Sequence, residues 1–444
     1  MLRLGFVPIV RPLFRGAQMG LWEASQRALA ELAVRLEVDL AYAAQPVSDA
    51  EGARARAAEA QAAEVDALLV LHVTFATGDV VAPFLELPVP VGLWALPEVS
   101  ATGPLPQNAL CGLMLSMSLR VGRRAPLLWL YGRPEDPSLH RRIDLMVRAA
   151  RGWGALRHGR LLWVGGTAPG FYRFEGVPDL DVRIDRAPLE AVFAALERIP
   201  EGAVSARLAE LAEPSAVPAE ALHPTIRLSL ALEEMGRGYD GIALRCWPEL
   251  PEAAGTMACA PFAWLGDRGH PLACEGDVGG LAAMLAVAAV TGGPAAMLDL
   301  SHVDGDGLMF WHCGNAPRAW AASQTRLEMH FNRGLPAVRH MRLRPGPVSG
   351  LRFLEEKRAA VFAGTIRARP GGFDGVSGWV GDLRWGGEPT SPHGFLASAL
   401  NHRLPHHFVW GMGEAEEALL ELSDWLGYQV LPLAPEARGA QWPS

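Results

Sequence analysis

The segment Val65-Asp-Ala-Leu-Leu-Val-Leu-His-Val73 is an almost continuous apolar run. Such a run is typical of a strand in the centre of a parallel sheet, because helices cover both faces of that sheet. Similar strands are predicted at Leu4–Val10 and Val89–Leu96, and Gly20–Leu36 carries apolar residues at helical spacing. The alternation of strands and helices predicts a doubly wound α/β domain over residues 1–153.

The rest of the chain predicts two further domains, which a length of 444 residues can accommodate. Residues 154–334 continue the α/β pattern, with a helix at Leu222–Met235 and strands at Gly241–Cys246 and Ala295–Leu300. Beyond residue 334, short segments separated by Gly and Pro favour an antiparallel β domain over residues 335–444. The predicted fold class is α/β, with two doubly wound α/β domains followed by a C-terminal antiparallel β domain.

Charge and lysine content narrow the classes of function. The chain has 40 Lys and Arg against 48 Asp and Glu, and the net charge of −8 argues against a nucleic-acid or anionic-membrane partner. Lys357 is the single lysine, and it lies in a charged run that is typical of a solvated turn. P-loop and Schiff-base enzymes, which need a lysine in the site, are therefore disfavoured.

The cysteines and the N-terminal sequence predict a compartment. Five cysteines without a Cys-x-x-Cys pair fit buried thiols in a reducing environment. The N-terminus runs directly into a predicted strand without the features of a signal peptide, and no apolar stretch is long enough to span a bilayer. These features predict a cytoplasmic protein.

Two carboxylates are placed where a site is expected. Glu249 follows the strand that ends at Cys246, and residues just past the carboxyl ends of strands line the ligand crevice of open α/β sheets. Its structural alternative is a loop acid paired with Arg245. Asp277 precedes a predicted helix, so it is either an N-cap, a metal ligand or both, and Glu275 lies in the same turn.

Aromatic and imidazole side chains supply the other candidate groups. The motif Trp311-His-Cys-Gly-Asn315 suits either a buried aromatic before a tight turn or contacts to a sugar. The pair His406-His407 precedes a short predicted strand, and neighbouring strand residues point in opposite directions, so one imidazole is expected to face the site. Two carboxylates and a histidine are suitable ligands for a hard divalent metal.

Other kinds of catalytic chemistry are less well supported by the sequence. His302-Val-Asp304 has the His-x-Asp form of a facial iron triad, but those triads usually occupy a double-stranded β-helix rather than an α/β unit. No Gly-x-Ser-x-Gly elbow supports a serine hydrolase. Cysteine nucleophile chemistry stays open, although Cys246 and Cys274 fit better as small strand residues.

An ordered set of motifs resembles the L-fucose/L-arabinose isomerase superfamily, in particular its shorter, fucose-isomerase-like branch. The resemblance covers nearly the whole chain, and its order is more specific than any single motif. The motifs are Phe75–Asp79, Leu93–Glu98, Asn108–Gly112, Arg245–Glu249, Ala273–Asp277, Trp311–Pro317, Ser377–Val380 and Pro405–His407.

The resemblance implies a fucose isomerase-like subunit that assembles as a homotrimer or homohexamer and interconverts aldoses and ketoses with Mn²⁺. It implies that Glu249, Asp277 and His407 hold the metal. The spacing of Glu249 and Asp277 is a little longer than in long fucose isomerases, so either Glu252 or Glu275 could replace one of the carboxylates. The sequence also leaves His406 open as the imidazole ligand in place of His407.

The implied reaction moves a carbonyl between C1 and C2 through an enediol, and Glu249 and Asp277 are the expected pair of proton-transfer groups. The expected substrates are a pentose or a 6-deoxyhexose, with an acidic or sulfonated sugar as an alternative. A non-catalytic sugar-binding or regulatory protein on the same fold is the competing class. Four side chains are expected to contact the sugar: Trp311, His312, Asn315 and Trp379.

Overall fold

The computed structural model describes residues 1–119, 126–176 and 178–435. The chain divides into two compact units, Met1–Arg151 and Gly152–Ser444. This division lies close to the predicted boundary at residue 153. Within the described ranges, no helix combines the length and the apolar character needed to cross a membrane.

The first unit is built on a five-stranded parallel sheet of order β2-β1-β3-β4-β5. Its strands are β1 (Leu2–Ile9), β2 (Val38–Ala43), β3 (Ala67–His72), β4 (Val91–Ala95) and β5 (Leu127–Tyr131). The central strand β3 is buried at every position, as its apolar run predicts. The helices are α1 (Leu21–Arg35), α2 (Ala50–Ala62), α3 (Gly78–Leu85), α4 (Ala109–Met117) and α5 (Pro137–His158), which continues into the second unit.

The second unit begins with a four-stranded parallel sheet of order β7-β6-β8-β9. Its strands are β6 (Arg160–Val164), β7 (Arg183–Ala187), β8 (Gly241–Leu244) and β9 (Leu272–Ala273). The helices are α6 (Glu190–Arg198), α7 (Glu201–Ala209), α8 (His223–Met235), α9 (Glu249–Ala254), α10 (Cys259–Asp267) and α11 (Val278–Thr291). Parallel strands linked through helices confirm the predicted α/β pattern of this segment.

A mostly antiparallel sheet of ten strands completes the second unit. Its strands are β10 (Ala296–Asp304), β11 (Gly307–His312), β12 (Arg326–Glu328), β13 (Val338–Arg342), β14 (Gly346–Leu354), β15 (Arg358–Arg367), β16 (Val376–Trp385), β17 (Glu388–Pro389), β18 (His407–Met412) and β19 (Gln429–Val430). Helices α12 (Pro392–Asn401) and α13 (Glu416–Trp425) accompany it.

Six of these strands close into a barrel. The antiparallel pairings run β16-β11-β10-β18-β14-β15, and β15 pairs back to β16. Closure leaves these six strands without an unpaired edge. The core of the barrel is aromatic, and it includes Phe310, Phe362, Trp385, Phe395, Phe408 and Trp410.

The structure places the start of the barrel earlier than residue 335. Strands β10 and β11 lie before that residue, yet they pair with β18 and β16 of the barrel. The predicted boundary at residue 334 therefore does not separate the two sheets. An apolar strand such as Ala295–Leu300 has the same sequence pattern in a parallel and in an antiparallel sheet, so its partners could not be read from it.

Candidate active site

Four side chains from separate elements meet in the second unit: Glu275, Asp299, His312 and His407. Asp299 of β10 and His407 of β18 lie directly opposite each other in the antiparallel ladder. His312 ends β11, and Glu275 lies in a short 3-10 turn after β9. His407 Nε2 lies 3.5 Å from Glu275 Oε2 and 3.7 Å from Asp299 Oδ1. One imidazole nitrogen therefore faces two carboxylates.

The same side chains form two overlapping groups that could hold a metal ion. Glu275, His406 and His407 form one group, and Asp299, His312 and His407 form the other, each with its ligand atoms within 4.8 Å of one another. Asp299 Oδ1 and His312 Nδ1 are buried and have no hydrogen-bond partner in the described structure. Because buried polar atoms without partners are costly, this arrangement fits a cation held between them.

The backbone of the Glu275 turn is unusual. Glu275 has a φ of 60°, in the left-handed region that non-glycine residues rarely adopt. The next residue, Gly276, packs so closely that a Cβ there would lie 1.9 Å from the carbonyl oxygen of Gly166. Only glycine fits this contact, and it fixes the turn that presents Glu275. Strained conformations of this kind are concentrated at functional sites.

Burial and charge act differently on the two carboxyls of the cluster. Burial raises the pKa of Glu275, but the hydrogen bond from His406 and the charge of His407 outweigh it, so the pKa is lower than usual. Burial holds the pKa of Asp299 above its usual value, against the lowering effect of His312 and His407. The site therefore contains two carboxyls in contrasting environments.

Asp277 lies behind His407, on the Nδ1 side of the ring and away from the cluster. It is fully buried, and it caps α11 by accepting a hydrogen bond from Gly280 N–H at 2.8 Å. Arg352 donates to both of its carboxylate oxygens, at 2.6 and 2.8 Å. Its Oδ2 also lies 2.9 Å from His407 Nδ1. Burial raises the pKa of Asp277, but Arg352 and His407 outweigh burial and hold the pKa well below its usual range.

These contacts give Asp277 a positioning role. A carboxylate on Nδ1 fixes the tautomer of the imidazole and directs Nε2 towards the cluster, as in the carboxylate–histidine pairs that support metal sites. The capping role considered for Asp277 from the sequence is confirmed. Its proposed role as a direct ligand does not match the structure, because Arg352, Gly280 and His407 already engage its oxygens.

Glu249 does not join the cluster. It begins α9, where its carboxylate lies 3.3 Å from the guanidinium of Arg245 one turn earlier, and 44% of its side chain is exposed. This is the structural alternative considered from the sequence. Glu252 is exposed on the same short helix. Of the two substitutes that the sequence left open, the structure places Glu275 in the cluster.

Both histidines of the pair contact the cluster. His406 Nε2 lies 3.2 Å from Glu275 Oε2, the same oxygen that faces His407. The expectation that only one imidazole would face the site does not hold, because β18 begins at His407 and strand alternation does not govern His406. The ring of Phe174 stacks on His407 with centroids 4.7 Å apart and fixes its plane.

The side chains predicted to contact the sugar lie in different surroundings. His312 belongs to the cluster, and Trp311, partly exposed, packs against Phe331 with ring centroids 5.7 Å apart. Asn315 is 5% exposed and donates to the carbonyl oxygen of Leu272 at 2.9 Å. Its amide N–H group ties the turn after β11 to β9.

Trp379 lies outside the cluster, in another part of the barrel. The guanidinium of Arg369 covers its ring at 3.9 Å, and His302 packs against it at 5.8 Å. Arg369 in turn pairs with Asp304 at 2.6 Å. These contacts also explain the His302-Val-Asp304 motif, whose residues support Trp379 and belong to neither metal-binding group found in the described ranges.

Asp299 is the residue that the sequence reading missed. It stands inside the apolar segment Ala295-Ala-Met-Leu-Asp-Leu300. A charged side chain on a buried strand is costly unless it has a partner, so its presence there was an available signal. Asp299 lies within β10 and not past a strand end, so its position did not mark it as a candidate.

Aromatic side chains border the Glu275 side of the cluster. Trp247 donates its Nε1–H to Glu275 Oε1 at 3.2 Å. The ring of Phe171 contacts Trp247 edge-on at 5.5 Å, and the guanidinium of Arg333 lies 5.4 Å from the centre of the Trp247 ring. With Oε1 bound to Trp247, Oε2 of Glu275 is the oxygen that faces the two imidazoles.

Comparison with known proteins gives the class of the enzyme. No protein-family model matches the chain. Its relatives include sulfoquinovose isomerases from Priestia megaterium, 25% identical over 388 residues (83% of this chain and 85% of the relative), and from Alkalicoccus urumqiensis, 25% identical over 337 residues (71% and 76%). A third, from Clostridium sp., is 25% identical over 385 residues (81% and 84%).

The chain is an enzyme of the sugar isomerase class, which interconverts aldoses and ketoses. This part of the sequence prediction is confirmed, whereas the comparisons do not reach the more specific fucose and arabinose isomerase resemblance. Among solved structures, a solute-binding protein of an ABC transporter from Agrobacterium vitis, bound with alpha-D-tagatopyranose, is 11% identical at a TM-score of 0.19. The alignment covers 66% of this chain and 90% of the solute-binding protein. At this TM-score the likeness supports no conclusion about fold or function.

Proposed function

We propose that this enzyme isomerises a sulfonated aldose to the corresponding ketose at a divalent metal held by Glu275, Asp299 and His407. The carrying observation is the convergence of the two carboxylates on His407 Nε2, at 3.5 and 3.7 Å. Asp299 Oδ1 is a buried atom that has no hydrogen-bond partner in the described structure, and this supports the assignment. This set replaces the ligands Glu249 and Asp277 expected from the sequence.

The donor set suits the proposed cofactor, Mn²⁺. Two carboxylates and one imidazole are the mixture of oxygen and nitrogen donors that Mn²⁺ accepts, and His312 is close enough to complete or support the set. When bound, such an ion would polarise the carbonyl and hydroxyl oxygens of the sugar and stabilise negative charge on them.

The protein's own groups then handle the protons. Isomerisation removes a proton from C2 of the aldose and returns one to C1, with an enediol between, so acid–base groups must lie beside these carbons. Glu275 and Asp299 are the carboxyls we assign to this transfer, each step contributing about 10²- to 10⁴-fold. Trp247 holds one oxygen of Glu275 and leaves the other directed at the site.

The proposed substrate class comes from the relatives. They are named for sulfoquinovose, which favours the sulfonated sugar among the alternatives that the sequence left open. Pentoses and 6-deoxyhexoses become comparison substrates. The competing non-catalytic reading is disfavoured, since the relatives are isomerases and a sugar-binding protein has no need of a carboxylate–imidazole cluster.

The test is isotope exchange with a panel of sugars. The purified chain, loaded with Mn²⁺, would be incubated in D₂O with sulfoquinovose, a pentose, a 6-deoxyhexose and glucose. Deuterium at C1 of the ketose and at C2 of the aldose, seen by NMR, is the expected result for sulfoquinovose. Isomerisation without any solvent deuterium would contradict an exchanging enediol, and turnover of a neutral sugar alone would contradict the substrate class.

The matched variants are Asp299→Asn and Glu249→Gln. The first removes a proposed ligand and is expected to abolish exchange, whereas the second changes an exposed acid outside the cluster and is expected to retain it. Loss of exchange in Glu249→Gln together with normal exchange in Asp299→Asn would assign the site to Glu249 instead.

A further inference from the structure

We infer that Arg333 binds the sulfonate group of the substrate and thereby selects an anionic sugar, an inference that rests on the proposed function. Arg333 is exposed, and its guanidinium lies over the ring of Trp247, 5.4 Å from the ring centre. The other end of the same indole donates to Glu275 Oε1 at 3.2 Å. One indole ring thus contacts both the cation and a carboxylate of the proposed metal site.

The charge of the substrate favours such a cation. Glu275, Asp277 and Asp299 are all acidic, and a sulfonate is negatively charged at every physiological pH. The proposed metal ion and Arg352 would offset this charge at the cluster itself, and a further cation at the charged end of the sugar would favour an anionic substrate over a neutral one.

Two other arginines, Arg352 and Arg245, already have carboxylate partners. Arg352 is 3% exposed and donates to both oxygens of Asp277. Arg245 pairs with Glu249 at 3.3 Å. Across the described ranges, no carboxylate lies within ion-pair distance of Arg333. Its guanidinium is therefore available to an incoming anion.

The backbone that carries Arg333 is held beside the site. His330 N–H donates to the carbonyl oxygen of Leu335 at 2.8 Å, and Arg333 N–H donates to that of His330 at 3.2 Å, which closes a tight turn. Phe331 in this turn packs on Trp311. The position of the arginine is therefore fixed at both ends of the turn, while its side chain remains exposed.

The guanidinium matches the ligand chemically. Arginine offers a planar fork of donors that bonds two oxygens of a tetrahedral oxyanion at once, as it does with phosphate, and a sulfonate presents three oxygens in the same geometry. Stacking on Trp247 orients the fork without using its N–H groups. The binding group would be the sulfonate at the end of the sugar remote from C1 and C2.

The experiment compares Arg333→Ala, Arg333→Lys and a control, Arg237→Ala, on two substrates. The substrates are sulfoquinovose and glucose, which carry a sulfonate and a hydroxyl on the same carbon. Arg237 is an exposed arginine between α8 and β8, before the amino end of that strand. For Arg333→Ala, the ratio of kcat/KM for sulfoquinovose to that for glucose is expected to fall about 10- to 100-fold, chiefly through KM.

Arg333→Lys keeps the positive charge but loses the planar fork of donors, so the ratio of the two kcat/KM values is expected to fall less. Arg237→Ala is expected to leave this ratio unchanged. Mn²⁺ content, measured in parallel, should be the same in all three variants. An equal loss on both sugars, or no loss in Arg333→Ala, would overturn the assignment of Arg333. A wild-type chain inactive on sulfoquinovose would overturn the proposed function instead. If glucose turnover is too slow to measure, the dissociation constant for sulfoquinovose, measured by calorimetry, gives the same comparison.

Discussion

Asp277 Oδ2 lies 2.9 Å from Nδ1 of His407, and both side chains are buried. The carboxylate is held by Arg352 on two hydrogen bonds and by the first turn of α11. The imidazole therefore presents Nε2 to Glu275 and Asp299 in a fixed orientation. An acid that the sequence suggested as a metal ligand instead orients an imidazole of the proposed metal site.

Replacing Asp277 with Asn should weaken metal binding without removing a ligand. The amide keeps the shape of the side chain but loses the charge that stabilises His407, and loss of such a partner typically costs about 10- to 100-fold in metal affinity. Competition titration with a chelating dye measures the Mn²⁺ affinity directly. A variant with wild-type affinity would show that Asp277 acts only as the cap of α11.

Glu275→Gln and Asp299→Asn should each lose bound Mn²⁺, whereas Glu249→Gln should retain it. Glu275 and Asp299 face His407 Nε2, but Glu249 pairs with Arg245 on the surface of α9. Elemental analysis after dialysis against low Mn²⁺ gives the answer, and circular dichroism checks that each variant is folded. Metal loss confined to Glu249→Gln would contradict the cluster described above.

The sequence predicted local structure well and distant pairing poorly. The helix predicted at Leu222–Met235 agrees with α8 at His223–Met235 to within one residue, and the apolar run Val65–Val73 contains β3 at Ala67–His72. Helical periodicity and burial on both faces of a strand each leave a local pattern. Closure of the barrel depends on the pairing of β10 with β18, which lies more than 100 positions further along the chain. A local sequence pattern does not indicate which distant strand will be the partner.

The same limit explains the candidate site. Glu249, Asp277 and Glu275 all stand near predicted strand ends, and position alone could not rank them. The three carboxylates differ in the side chains that they contact. Glu249 pairs with Arg245 and Asp277 pairs with Arg352, whereas Glu275 faces two imidazoles. These partners lie up to 132 positions away, as His407 does from Glu275, so only the fold brings them together.

Truncating a ring in the barrel core should destabilise the second unit. Phe362 is fully buried and contacts Trp410 at 4.5 Å and Phe408 at 5.3 Å between ring centroids. Phe362→Ala leaves a cavity, and the expected loss is about 3–5 kcal/mol in the free energy of unfolding. Guanidinium titration followed by tryptophan fluorescence measures it. Phe373→Ala, at a ring 49% exposed, is the control and should change the midpoint little.

A buried ion pair should make the second unit sensitive to acid. Arg339 donates to both oxygens of Glu213, at 2.7 and 2.9 Å, and neither side chain is exposed. Burial raises the pKa of Glu213, but the bonds and charge of Arg339 outweigh it and hold the pKa below its usual value. A carboxyl with a lowered pKa in the folded state stabilises that state above its unfolded pKa, about 4.3, and loses this contribution as the pH falls further.

The free energy of unfolding should therefore decline below about pH 5 partly through this group. Glu213→Gln should be destabilised at pH 7 by about 1–3 kcal/mol, since the buried Arg339 loses one of its two carboxylate partners and keeps Asp267, at 2.7 Å. The difference from the wild type should shrink as the pH is lowered, because the wild type is then protonated at the same site. Urea titrations at pH 7, 5 and 4 measure this, with Glu355→Gln, an exposed acid paired with Arg173, as the control. A difference independent of pH would show that packing, and not the charge of Glu213, supplies the stability.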